Sequence, residues 1–130
     1  MADATAPLRR SDRGLLSDLG AAGVMTTDQI RRLRFPGTGA ANCRRHLVAL
    51  ARGGLIARLP LPGPGGHEAC WHLTAAGRAA VGVTAPVPGI EALRDPWRLD
   101  DLLQAAEHYI QEALRARAEA AAEPTRADGP

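Results

Sequence analysis

Asn42, Arg44, Arg45 and His46 stand together in AANCRRHLVALAR, residues 40–52, a stretch that closes on Arg52. Arginine and asparagine are the side chains that grip base edges with two bonds at once, arginine on guanine O6 and N7, asparagine on adenine N6 and N7. They can do so only from a helix whose other side is anchored. Cys43, Leu47 and Leu50 recur at spacings of 4 and 3, which supplies an apolar stripe for that anchor. Asn42 and Arg45 then project outward, with Thr38 and Ala41 nearer the helix start on the same approach. Arg44, His46 and Arg52 are placed for phosphates. A merely solvated helix face would carry the same charges, so the surrounding elements must decide.

Other reactive residues support less. His67, Cys70 and His72 are potential metal donors, but their spacing matches no familiar zinc module. Alternation along a strand would send Cys70 and His72 away from Trp71 and Leu73. Cys43 reads as a small core residue. No oxyanion donor or orienting carboxylate accompanies a cysteine–histidine pair. The loop PLPGPGGHE has no Walker-type lysine and does not run from strand into helix. No metal, cofactor or enzymatic activity is expected.

The elements that must position the arginines read in order. DRGLLSDLGAA, residues 12–22, forms a helix with Leu15, Leu16 and Leu19 on one side. Val24 and Met25 make a very short strand. Thr26 or Thr27 caps a second helix, with Asp28 in its first turn and Ile30 and Leu33 buried. Phe35-Pro36-Gly37 ends it in a turn. Thr38 is the expected cap of the third helix, which exits through Gly53-Gly54. Strands at 55–59 and 69–73 flank a Pro/Gly-rich tip, and Thr74 caps the short helix AAGRAAV. Helix, short strand, helix, turn, helix and two strands make a winged helix-turn-helix. In that motif the second helix crosses the DNA backbone, which makes Arg31, Arg32 and Arg34 phosphate candidates. Arg58, on the first wing strand, and His67, near the tip, are the corresponding donors of the wing. Arg9, Arg10 and Arg13 add screened attraction or follow a minor groove.

Beyond a Pro/Gly-rich linker, 84–96, residues 97–121 read as an amphipathic helix. Leu99, Leu103, Ala106, Ile110 and Ala113 alternate in spacings of 4 and 3, broadened by Leu102, Tyr109 and Leu114. This stripe predicts a dimer helix, with Trp97, Leu15, Leu16 and Leu19 widening the interface. The competing arrangement folds the helix back on its own winged helix.

All 16 basic residues of the 130 are arginines. Residues 1–94 hold 12 of them against 6 acidic residues, a balance of +6, and residues 95–130 hold 4 against 8, a balance of −4. A basic front attracts a polyanion; the acidic back is repelled from it. Two cysteines make no disulfide framework, and neither a signal peptide nor an apolar run of membrane-spanning length is evident. The expected location is cytoplasmic.

LLSDLGAAGVMTTDQIRRLRFPG, then RRHLVALARGGLIARL, then WHLTAAGRAAVG, resembles the winged helix of actinobacterial replication-relaxation proteins over roughly residues 13–83. Thr27-Asp28-Gln29-Ile30, Phe35-Pro36 and Leu73–Gly77 are the most telling matches. The resemblance implies a setting in plasmids and integrative conjugative elements. The expected fold is α+β and mostly helical: a flexible basic tail, 1–11, a winged helix-turn-helix domain, 12–83, the linker, a dimerisation helix, and a disordered tail, 122–130. The expected function is a sequence-specific double-stranded-DNA-binding protein acting as a dimeric transcriptional regulator. The alternative is an accessory DNA- or protein-interaction module of plasmid or conjugative-element replication or transfer, with a protein partner.

Overall fold

Leu15, Leu16 and Leu19 lie at the centre of the molecule, in a computed structural model that describes residues 9–60, 69–83 and 95–122. They belong to α1 (Arg10–Ala22), which starts two residues before Asp12, so Arg10 and Ser11 are helical and not part of a tail. β1 (Met25–Thr26) leads directly into α2 (Thr27–Arg34). Thr26 closes a capping box there: its hydroxyl accepts from the Gln29 amide at 3.1 Å, and the Gln29 side chain accepts from the Thr26 amide at 3.0 Å. The Phe35-Pro36-Gly37 turn follows, with Gly37 at φ +82°, a left-handed conformation that suits glycine.

Thr38 does not cap the third helix. Its hydroxyl turns back and donates to the Phe35 carbonyl at 2.9 Å, so α3 (Ala40–Arg52) starts two residues later, with Gly39 as a cap that offers no side chain. The same carbonyl accepts from the Thr38 amide at 3.2 Å, so Thr38 is fastened to the turn through both its backbone and its side chain.

β2 (Ile56–Pro60) and β3 (Ala69–Leu73) pair antiparallel, and β3 also pairs with β1, giving the order β1-β3-β2. Trp71 thus sits between Met25 and Arg58. α4 (Ala75–Val81) starts at Thr74, whose hydroxyl accepts from the Gly77 amide at 3.0 Å. The last element among the described residues is α5 (Pro96–Ala122). The chain is mostly helical, with a small three-stranded sheet and a long C-terminal helix. The wing tip with His67, most of the linker and both ends of the chain lie outside the described residues.

Two cores hold these elements. The larger joins the leucines of α1 to Ile30, Leu33, Cys43, Leu47, Leu50, Ile56 and Trp71, and it includes Ala106 and Ile110 of α5. The smaller lies on the other side of β3, where Val24, Cys70 and Leu99 pack with Leu59, Leu102 and Leu103. Cys70 does turn away from Trp71, as alternation requires, but into this second core, because α5 covers that side.

The apolar stripe of α5 therefore packs on its own winged helix. Leu15, Leu16, Leu19, Leu99, Ala106 and Ile110 are all buried within the protomer. Tyr109, Ala113 and Leu114 are partly buried against the larger core, and Leu102 and Leu103 against the smaller. This corrects the placement of the buried six at a surface between copies: the helix-turn-helix alone leaves apolar area uncovered, and the tethered α5 is the nearest cover. Trp97 remains, 83% exposed.

Candidate nucleic-acid interface

At 3.6 residues per turn, burying Cys43, Leu47 and Leu50 forces Ala41, Arg45 and Arg52 to the opposite side of α3. All three are exposed. Arg44 is exposed on one flank, and Asn42 and His46 are half-buried on the other. The Arg45 Nη2 donates to the Asn42 Oδ1 at 3.4 Å, a weak bond that leans the guanidinium toward the carboxamide. His46 packs on Phe35, with ring centroids 5.0 Å apart, so it is braced against the turn. Thr38 is exposed beyond the helix start and Arg58 on β2.

The flank bearing Asn42 and His46 is not open surface. Arg9 and Asp12, from the start of α1, join Asn42, Arg45, His46 and Ala49 around an open groove of about 560 Å³ with Leu50 in its lining. The sequence pattern did not place Arg9, which precedes α1, or Asp12 on this face. No spacing rule links residues 9–12 to residues 42–49.

The arginines of α2 are differently employed. Arg31 pairs with Asp28 at 2.7 Å. Arg32 bonds Glu107 through both terminal nitrogens and lies 3.3 Å from Asp28. The Arg34 Nε donates to Asp18 at 2.5 Å, and the Tyr109 hydroxyl donates to the other oxygen of that carboxylate at 2.7 Å. Arg32 and Arg34, expected as phosphate donors, are engaged in the structure as ties that hold α2 to α5 and α1. Arg117 adds a tie by donating to the Leu33 carbonyl at 2.5 Å. One signal was visible in advance: Asp18 lies among Leu15, Leu16 and Leu19, and a carboxylate on a buried side needs a donor.

These ties shift two titrations. Bonds from Arg32, and then from Gln111 and Gln29, hold the Glu107 carboxyl down to about 2 despite some desolvation. Burial, reinforced by the Asp18 carboxylate, pushes the Tyr109 phenol up to about 12. A carboxyl whose folded pKa lies below the ordinary value of about 4.3 stabilises the fold above that value. The contribution fades as pH falls toward 2. Glu107→Gln is therefore expected to reduce the urea midpoint at pH 7 and to shrink the loss of midpoint between pH 7 and pH 3. Equal losses in both proteins would remove Glu107 from the acid response.

Cys43 donates a weak bond to the Thr27 carbonyl at 3.8 Å, and burial raises its thiol to about 11, so it is protonated and structural. His72 is half-buried on β3, with Nδ1 3.2 Å from the Leu73 carbonyl. Among the described residues no three metal-ligating side chains converge, and no helix is long and apolar enough to cross a membrane.

The family model described as replication-relaxation matches residues 16–127, which extends the likeness from the winged helix through α5. No curated protein and no solved structure matches the chain.

Proposed function

The chain belongs to the replication-relaxation family, and from that premise we propose that it is a duplex-DNA-binding module of plasmid or conjugative-element replication and relaxation. In this reading α3 enters a major groove and the helix-turn-helix seats it there. The role is one of binding, without a chemical step.

The observation that carries it is the contrast between two sets of arginines. Those of α2 are all paired with carboxylates. Among the described residues, no ion pair engages Arg44, Arg45 or Arg52 of α3. Guanidiniums left in water on an anchored helix attract phosphate and can reach base edges. α3 also starts without a side-chain cap or an acidic first turn, so its positive end stays open to an anion.

Arg45 reads a base, Asn42 reads a neighbouring base or steers Arg45, and Arg44 and Arg52 hold phosphates. Arg45→Ala should cost about 1–3 kcal/mol of discrimination between a selected binding site and scrambled duplex, measured by fluorescence anisotropy. Arg44→Ala should weaken both duplexes alike and flatten the salt dependence. An unchanged ratio for Arg45→Ala would remove it from base reading, and failure of the wild type to bind any duplex at low salt would overturn the proposal.

A dimeric transcriptional regulator is the second reading. Exposed Trp97 favours it, as an apolar side chain that a second copy or a protein partner would cover. Two chains on one roughly palindromic site, with half-sites about 34–36 Å apart or a multiple of it, is the complex that reading requires. One chain per site would leave the first reading alone.

A further inference from the structure

The three arginines that open the chain part company in the structure. Arg13 turns toward α4, where its Nη1 donates to the Ala80 carbonyl at 3.4 Å. Arg10 is exposed and is not among the residues around the α1–α3 groove. Arg9 is. It precedes α1 in extended geometry, φ −67° and ψ 152°, and shares the groove with Asn42, Arg45 and His46.

A helix with its side chains is about 10–12 Å across, and the major groove is about 12 Å wide. A helix that fills it has a sugar–phosphate strand along each flank. On the flank with Asn42, His46 and Ala49, that strand must pass the start of α1, where the α1–α3 groove lies. The groove has the chemistry for it: two guanidiniums, an imidazole and a carboxamide against one carboxylate, Asp12.

Resting on the duplex-binding reading above, we infer that the α1–α3 groove seats one sugar–phosphate strand of the duplex, with Arg9 as its phosphate donor. Arg45 is thereby left to the bases, and α1 becomes part of the DNA-binding surface. Asp12 works against the strand and limits how deeply it settles.

Phosphate contact is independent of sequence, so the test uses a short random-sequence duplex over a salt series. Arg9→Ala should weaken binding and reduce the slope of log K against log salt by about 0.9, the share of one phosphate on B-DNA. Arg9→Lys should recover most of the affinity, since a lysine keeps the charge. Arg10→Ala should stay close to wild type in both affinity and slope. Asp12→Asn should bind more tightly. Melting curves of the four variants within a few degrees of wild type identify the changes as changes in binding. Equal losses for Arg9→Ala and Arg10→Ala would overturn the inference in favour of diffuse attraction. So would an Arg9→Ala protein that binds like wild type. A wild type that binds no duplex would instead overturn the functional reading, and this inference with it.

Discussion

Gly77→Ala is expected to destabilise the protein by about 3 kcal/mol or more, enough to threaten folding in a domain of this size. A Cβ at position 77 would lie 2.0 Å from the Leu55 carbonyl oxygen and 3.0 Å from its carbon. Both are backbone atoms, so no side-chain rotation relieves the clash. The Leu55 carbonyl is also held in place, because it accepts from the Thr74 amide at 3.1 Å. Thr74 fastens the same corner twice more: its hydroxyl donates to the Gly54 carbonyl at 2.6 Å and accepts from the Gly77 amide. The run Leu73-Thr74-Ala75-Ala76-Gly77 is therefore a clamp between α4 and the exit from α3, and only glycine permits the approach. Urea denaturation measures the loss. Ala76→Ser, on the exposed side of the same helix, serves as the comparison and should stay near wild type. A Gly77→Ala midpoint close to that of Ala76→Ser would show that the corner yields and the clamp is absent.

Ile110→Ala is expected to cost about 2–5 kcal/mol, the range for truncating a buried aliphatic side chain. Ile110 is fully buried in the same core as Leu16, Leu33 and Leu47 although it lies on α5, the last helix among the described residues. The way the loss depends on concentration separates two roles for that helix. If Ile110 packed against a second copy, the stability of wild type would rise with protein concentration and the substitution would abolish that rise. Packed within the protomer, it should lower the urea midpoint by the same amount at low and high concentration. A chain ending at Val83 extends the argument. It uncovers Val24 and Cys70 on one side of β3 and part of the larger core on the other. It should lose its cooperative unfolding transition. A truncated protein that unfolds like the intact one would show that the winged helix is complete without α5.

The features legible in the sequence are those that span a few residues. Thr26 and Gln29 close a capping box because they stand three apart, and Thr74 caps α4 by the same geometry. Cys43, Leu47 and Leu50 make α3 one-sided, so the outward position of Arg45 follows from helical periodicity alone. Even here a neighbouring turn can intervene: the Thr38 hydroxyl donates to the Phe35 carbonyl, and Gly39 takes the cap position that Thr38 was expected to fill.

What the sequence by itself determined is thus the order of the elements, their bounds to within about two residues, and the basic outer face of α3. Tertiary structure alone decided what covers each apolar side and which charges remain free. Periodicity in α5 specifies a stripe but not its partner, and the stripe of Ala106 and Ile110 found the winged helix of its own chain. Arg32 meets Glu107 across 75 residues, and Asp18 meets Tyr109 across 91. Arg9 reaches the groove beside Arg45 in the same way, through the docking of α1. The physical reason is range: caps, turns and helical periodicity act between neighbours along the chain, whereas burial and charge pairing act between neighbours in space.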